Sequence, residues 1–293
     1  MTKVVVTGYA SLDYAMRLDR APQPDATATI LARPLEWPRL GGSPAYIACA
    51  MVAAGLADIR PVSWIGDDVD GRCYSEVLVR RGVAVDGIAL KAGRTPVCIL
   101  AYQPDGGCNC LYDPSLPGPL MLDENQTRLV ADAGWVCLTV GPADATAQAL
   151  AATRPDAQIV WAVKADPRAV PAELAAAIAA RADIVACSHG EASFVTEAFK
   201  AAGASKRRRL LIETRGRDGV WLSVDGREQI IAVEPLASED TTGAGDTFLG
   251  GLLAALVNNP DRPADAVEAG ARAARAMLLA RSEKQEELSA NES

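Results

Sequence analysis

Asp240-Thr241-Thr242-Gly243-Ala244-Gly245-Asp246 runs directly into Thr247-Phe248-Leu249-Gly250-Gly251-Leu252-Leu253. The second half is apolar enough for a buried helix, and the first half is the glycine-rich turn that opens it. Glycines at a helix start leave several backbone N–H groups unpaired and sterically bare. With the helix dipole they make a site suited to phosphate. An aspartate in that turn is out of place if the turn only holds an anion, because two negative charges would face each other. It fits if the carboxylate takes a proton from a hydroxyl as that hydroxyl attacks phosphorus. On this reading Asp246 is a general base, and Gly243, Ala244 and Gly245 form an anion hole. The competing reading, a plain helix start, requires neither two glycines nor Asp240 beside them.

Other phosphate and nucleophile motifs do not fit. Gly243-x-Gly245 lacks the third glycine of a dinucleotide fingerprint, since position 248 is Phe, and no Gly-Lys-Ser/Thr Walker ending occurs. Gly41-Gly42-Ser43-Pro44-Ala45 narrowly misses a nucleophile elbow. A single histidine, His189, excludes multi-histidine zinc sites and the His-Arg-Asp loop of protein kinases. The seven cysteines are scattered, and Cys108-Asn109-Cys110 matches no common metal or redox spacing, so free thiols in a reducing compartment are expected.

Outward from the turn, short β-branched runs alternate with Ala-rich amphipathic stretches, the pattern of a largely parallel sheet with crossover helices. Strands are predicted at 4–8, 59–65, 135–140, 158–163, 183–187 and 210–214. A hairpin is predicted from 220–224 and 229–233 around Asp225-Gly226. Helices are predicted at 45–54, 71–81, 171–181, 243–257 and 264–280, with a polar tail from Arg281 to Ser293 that frays. Two segments break the rhythm. Residues 21–40 hold four prolines and a short strand candidate at 27–31, and residues 94–119 alternate apolar and polar before turning at Asp105-Gly106-Gly107. Both read as β insertions that project from the sheet as a lid.

The chain has 293 residues, 49% hydrophobic and 23% charged, with 29 Lys and Arg against 37 Asp and Glu for a net charge of -8. That length is read as one domain, 1–293, able to bury roughly three-quarters of its unfolded surface without staples. The acidic balance argues against nucleic acid or an anionic membrane as partner. No stretch approaches the roughly 20 apolar residues of a spanning helix. Without a secretion signal, the expected location is the cytoplasm.

Residues 240–246 resemble the C-terminal Asp-Thr-x-Gly-Ala-Gly-Asp signature of the ribokinase-like (PfkB) carbohydrate kinase family. Gly41-Gly42-Ser43-Pro44-Ala45-Tyr46-Ile47-Ala48, ending in Gly55-Leu56, resembles its N-terminal glycine-pair signature. Gly66-Asp67-Asp68 with Gly71, and Thr214-Arg215-Gly216-Arg217-Asp218-Gly219, are similar to two further family segments, and all four stand in family order. The resemblance implies an α/β, ribokinase-like fold: a Rossmann-like three-layer α/β/α core, a mostly parallel central sheet and a small β-strand lid. It implies ATP-dependent phosphorylation of a primary hydroxyl of a small sugar or sugar-like alcohol, with Asp246 as base. Asp13, after the first strand, matches the position that grips substrate hydroxyls. Gly41 and Gly42 would let backbone approach the sugar, and Thr214, Gly216 and Gly219 would line the nucleotide phosphates.

Departures from the family pattern are informative. Where the family often carries Asn-x-x-Glu near magnesium and phosphates, this chain has Ser188-His189-Gly190-Glu191. Glu191 is kept and would act on magnesium through water; Ser188 replaces the amide. Tyr46 stands where many relatives carry a substrate-contacting Asn, and would select a smaller sugar or stack against a base. Lys164 and Arg168 follow a strand end, where they would neutralise phosphate or lie solvated. Arg207-Arg208-Arg209 reads as an exposed linker. Asp240 and Thr242 would serve a monovalent cation, but the usual Gly-Ala loop is not evident around Arg281-Ser282-Glu283, which argues against potassium activation. Two other functions remain open: a nucleoside kinase of the same family, and a non-catalytic sugar or nucleotide sensor on the kinase fold. Open lid edges predict a homodimer.

Overall fold

The computed structural model of the chain describes residues 2–203, 209–234, 236 and 240–291, with side chains through 282. The Arg207-Arg208 part of the predicted linker lies outside the described residues. In chain order, β1 (Val4–Thr7), β2 (Ser11–Leu18), β3 (Ile30–Ala32) and β4 (Arg39–Gly41) lead into α1 (Ser43–Ala53). β5 (Ile59–Gly66), α2 (Val69–Arg80) and β6 (Ile88–Lys91) follow, then the hairpin β7 (Val97–Tyr102) and β8 (Cys108–Asp113). Next come α3 (Glu124–Asp132), β9 (Trp135–Leu138), α4 (Ala143–Ala152), β10 (Gln158–Ala162), α5 (Ala172–Arg181), β11 (Ile184–Ser188) and α6 (Ala192–Ala202). The chain closes with β12 (Leu210–Thr214), β13 (Val220–Val224), β14 (Arg227–Ile231), α7 (Ala244–Asn258) and α8 (Pro263–Asn291).

Nine strands form the central sheet in the order β14-β13-β12-β11-β10-β9-β1-β5-β6. β12 to β6 run parallel, and β13 and β14 add an antiparallel edge. Side chains of a strand alternate between faces, so Val4 and Val6 join one core and Val5 the other. α1, α2, α7 and α8 cover the first face and α3, α4, α5 and α6 the second, which makes three layers. The chain leaves β1 toward β5 and β6 on one side and returns to β9 on the other. Strand order therefore reverses beside β1, and ligands of such sheets gather at the carboxyl ends there.

The second sheet has the order β3-β2-β7-β8, with β4 also on β2. The 21–40 and 94–119 segments supply β3, β4, β7 and β8, as their patterning suggested. The sequence reading missed β2, an eight-residue strand in what it took for a loop after β1. Asp13 and Arg17 interrupt its apolar pattern, yet Asp13 is buried. β2 runs parallel to β7, an unexpected pairing in a sheet otherwise antiparallel.

Local sequence explains the helix ends near the site. Gly42 enters α1 at φ 83°, where a Cβ would meet the Tyr9 carbonyl oxygen at 2.2 Å. Asp68 caps α2 by accepting from Gly71 N (2.8 Å) and ties the same turn to Thr95 N (2.9 Å) and Thr95 Oγ1 (2.6 Å). The Gly-Asp-Asp-x-x-Gly segment is thus a knot between β5, α2 and the start of the 94–119 hairpin. Asp225 and Gly226, at φ 50° and 81°, make the predicted tight turn, although the second strand starts two residues early, at Arg227. The tail after Arg281 does not leave the helix: α8 continues to Asn291, over residues of good helix propensity.

Candidate active site

α7 starts from Gly243, whose backbone is left-handed at φ 74°. A Cβ there would lie 2.6 Å from the Tyr46 ring, so glycine is required by both the turn and the close packing. Ala244 N donates to Thr241 O (3.0 Å) and Thr247 N to Gly243 O (2.8 Å), and between them the amides of Gly245 and Asp246 belong to the open helix mouth. Above Gly245 no atom lies within 4 Å of where a Cβ would be. The turn is therefore bare on one side and braced by Tyr46 on the other.

Asp246 sits in the first turn of α7 at the rim of this opening. Enclosure of its carboxyl raises its pKa above the usual carboxylate value, the Ser43 hydroxyl and Lys164 lower it, and Glu191 raises it further. Two segments far apart in sequence thus bring Lys164 and Glu191 to the same carboxylate. Lys164 Nζ is 3.9 Å from Glu191 Oε1, while the other Glu191 oxygen accepts from Ser188 N (2.9 Å) and Ser188 Oγ (2.7 Å).

Asp13 faces the turn from β2. It pairs in register with Arg39 on β4, as Ser11 does with Gly41, and Ser11 Oγ donates to Asp13 Oδ1 at 2.8 Å. A Cβ on Gly41 would fall 1.9 Å from that oxygen, so the first glycine of the pair makes room for the carboxylate. Asp13 is 4% exposed. Burial pushes its pKa up to about 6 against the opposing pull of the Ser11 bond and Arg39, and the charges of Asp246 and Asp240 add to the rise. A buried acid and a half-buried one thus stand close enough for the charge of Asp246 to raise the pKa of Asp13.

Tyr46 is 8% exposed, and burial pushes its phenol up to about 12. Its ring packs beneath Gly243 and is not an open stacking face. The open aromatic surface is elsewhere: Tyr9 and Tyr112, with ring centroids 5.6 Å apart, line a cleft of about 250 Å³ with Pro114, Leu116, Pro142 and Asp144. Tyr9 follows β1 and Pro142 follows β9, so this cleft lies at the point where strand order reverses. The sequence reading did not single out either tyrosine.

Asp240, beside the turn, meets arginines. Arg39, 7% exposed, grips it with two bonds of 2.5 and 3.0 Å, and Arg281 from α8 donates to the Thr242 carbonyl at 2.7 Å while lying 4.0 Å from Asp240. Burial alone would raise the Asp240 pKa, but Arg39 bonds and charge, with Arg281, hold it at about 2. The Tyr102 hydroxyl of β7 bonds the Thr242 hydroxyl, a second tie from the smaller sheet to the loop before α7. The oxygens proposed for a monovalent cation are thus engaged by guanidinium groups, a donor set that does not suit that ion.

At the carboxyl ends of β11 and β12, Ser188, Thr214 and Gly216 line an open cleft of about 470 Å³ together with His189, Arg215 and Ile230. Gly219 does not line it; at φ 89° its missing Cβ avoids the Ile231 carbonyl oxygen by holding the turn into β13. His189 Nδ1 meets Glu213 Oε1 at 2.6 Å, and Arg215 shares that carboxylate at 2.8 Å, so a charged cluster flanks the cleft. Arg168 turns back onto Asp166 and is exposed. Among the described residues no cluster of three or more His, Cys, Asp or Glu could hold a metal by itself. Glu191, held by Ser188, suits magnesium only as an outer partner acting through water.

Comparison with known proteins identifies the fold and the family. The solved ribokinase of Cryptococcus neoformans var. grubii in complex with ADP superposes with a TM-score of 0.77 at 23% identity, over 94% of this chain and 93% of that one. The chain belongs to the pfkB family of carbohydrate kinases, whose match extends over residues 1–289. An ATP-dependent ribose-1-phosphate kinase of Halopiger xanaduensis is 28% identical over 264 residues, 89% of this chain and 87% of its own. A fructokinase of Vibrio alginolyticus is 27% identical over 280 residues, 89% and 86%. No helix among the described residues is long and apolar enough to cross a membrane.

Proposed function

We propose that the protein transfers the terminal phosphoryl group of ATP to a primary hydroxyl of a small sugar or sugar-like alcohol. The observation that carries this reading is Asp246 in the first turn of α7, between the left-handed Gly243 and the open side of Gly245, where the charge of Asp246 reaches Asp13 and that of Lys164 reaches Asp246. Asp13 takes hydrogen bonds from substrate hydroxyls, with the Gly41 and Gly42 backbone beside it. Asp246 accepts the proton of the attacking hydroxyl. The new oxygen–phosphorus bond forms as the bond to the ADP oxygen breaks, and ADP leaves with that electron pair. The amides at Gly243, Ala244, Gly245 and Asp246 receive the growing negative charge, and Lys164 adds a cation on the same side. The amide of Ala244 is shared with Thr241, so the amides of Gly245 and Asp246 carry more of this task. The nucleotide lies in the cleft of Ser188, Thr214 and Gly216. Glu191 would hold magnesium through water, and the ion would supply positive charge to neutralise the phosphates.

Asp246→Asn is expected to lower turnover on the order of 100- to 10,000-fold in an assay of ADP release over a panel of pentoses, hexoses and sugar phosphates. Undiminished turnover would remove Asp246 as base. Ribose 1-phosphate belongs in that panel, because the relative from Halopiger xanaduensis is named for it.

A second reading, a nucleoside acceptor, rests on the cleft between Tyr9 and Tyr112, which offers a base the stacking surface that buried Tyr46 does not. Activity confined to nucleosides would make it the first. The sensor reading is weaker, since family membership accompanies an intact Asp246 turn. The smaller sheet acts as the lid and pairs with that of a second chain: Ile99 and Leu111, opposite each other on β7 and β8, are both exposed. A monomer mass in solution would refute the dimer. A cytoplasmic location is in keeping with seven free cysteines.

A further inference from the structure

Thr242 immediately precedes Gly243, so whatever holds its carbonyl sets the direction of the turn. Three side chains converge here from distant parts of the chain: Arg39 from β4, Tyr102 from β7 and Arg281 from α8. A carbonyl oxygen and a carboxylate on one loop form the kind of oxygen pair that attracts a hard cation. In this protein the positive charge is already part of the chain. Arg281 donates to the carbonyl at 2.7 Å and stands 4.0 Å from the carboxylate, which Arg39 grips with two bonds. Arg281 also lies over the Tyr46 ring, 5.9 Å from its centroid, and atoms of the same ring brace Gly243. One guanidinium therefore reaches the turn by two routes, through the Thr242 carbonyl and through the Tyr46 ring.

We infer that Arg281 is a positioning residue that stands in for a monovalent cation, so the enzyme needs no potassium to set its Gly243–Gly245 turn. The inference rests on the reading of that turn as the anion hole. Asp240 carries one negative charge and meets two guanidinium groups, so its charge is answered from within the chain and leaves no unpaired carboxylate for an added cation. A potassium ion approaching the same oxygens would meet two like charges at contact range. Lysine at 281 would keep the charge but lose the planar fork that spans carbonyl and ring. Arg281 does not touch substrate in this scheme; it fixes the atoms that do.

The test compares wild type, Arg281→Ala and Arg281→Lys in sodium, potassium and tetramethylammonium buffers of equal ionic strength. Wild-type turnover is expected to agree across the three salts within about twofold. Arg281→Ala is expected to lose on the order of 10- to 100-fold in kcat, with KM for ATP changed far less. Potassium, or added methylguanidinium, is expected to restore part of that loss where tetramethylammonium does not. An independent reading comes from thermal unfolding: potassium should raise the Tm of Arg281→Ala relative to tetramethylammonium and leave wild-type Tm unchanged. If Arg281→Ala does not fold, Arg281→Lys carries the same comparison. Activation of wild type severalfold by potassium overturns the inference, as does wild-type kcat in Arg281→Ala. A wild type that releases no ADP in any salt counts against the kinase reading, and the Tm comparison then decides the role of Arg281 by itself.

Discussion

Replacing Asp13 by Asn should make the protein more stable while disabling it. The buried carboxyl has its pKa moved from 3.8 to about 6. At neutral pH the fold therefore carries a charge it holds less well than water does, by about 3 kcal/mol at 1.36 kcal/mol per pKa unit. Because the folded-state pKa is the raised one, this penalty is absent below pH about 4, grows between pH about 4 and 6, and is complete above. Asn keeps the shape and can still accept from Ser11 Oγ, but gives up the attraction to Arg39. The net gain should be about 1–3 kcal/mol at pH 7.5, or about 2–6 °C in Tm for a chain of this length. Differential scanning calorimetry of both proteins at pH 7.5 and pH 4.5 is the assay. The Tm advantage of Asp13→Asn should be clear at the higher pH and shrink at the lower. Equal stability at pH 7.5, or an advantage that does not change with pH, would refute the claim that Asp13 is a strained charge retained for substrate.

Gly243→Ala forces a side chain onto a left-handed residue 2.6 Å from the Tyr46 ring, so it should cost about 1–3 kcal/mol in chemical denaturation and most of kcat. Lys164→Met should lower kcat on the order of 10- to 1,000-fold. Because Lys164 lowers the pKa of Asp246, its loss should also move the acidic limb of the pH–rate profile upward. In wild type that limb falls as pH drops, since a protonated Asp246 accepts no proton. Asp68→Ala removes three hydrogen bonds from the knot at Thr95 and should cost about 1–3 kcal/mol at neutral pH. The Asp68 pKa is lowered, burial being outweighed by the Thr95 and Gly71 bonds, so that penalty should fade as pH drops into the acid range.

The parts of the fold that follow local rules were legible in the sequence. The parallel strands announced themselves as β-branched runs, except β6, whose four residues Ile88–Lys91 hold a single β-branched side chain and were not predicted; the turn at Gly243 announced itself through glycine and aspartate together. β2 was not legible, because its alternation is interrupted by Asp13 and Arg17, one of which is buried for chemistry and not for packing. Asp13 itself was found through family resemblance, which does not see that it lies in a strand. The convergence on Asp240 was out of reach for another reason: Arg39 is 201 residues away in sequence, and nothing local links them. Tyr46 was legible as an odd residue in the glycine-pair segment. Its direction was not, since a ring that braces a turn and a ring that stacks on a ligand look alike in sequence. Tyr9 and Tyr112 carried no signal, being two ordinary aromatics until strand order placed them together.

α8 meets α7 through glycine: a Cβ on Gly270 would lie 2.6 Å from the Phe248 carbonyl oxygen, and one on Gly251 2.6 Å from the Ala273 Cβ. Val267, Gly270, Ala274, Leu278 and Arg281 recur at helical spacing, so Arg281 stands on the face that is pressed against α7. Eleven residues are three turns to within about 20°, which makes the glycine contact and the guanidinium two points on one straight edge. The helix works as a ruler whose near end is fixed by contact and whose far end delivers a charge about 16 Å away. Substitutions on its outer face leave that measurement intact. A single residue inserted between Gly270 and Arg281 would swing the guanidinium about 100° off the Thr242 carbonyl without touching any residue of the site.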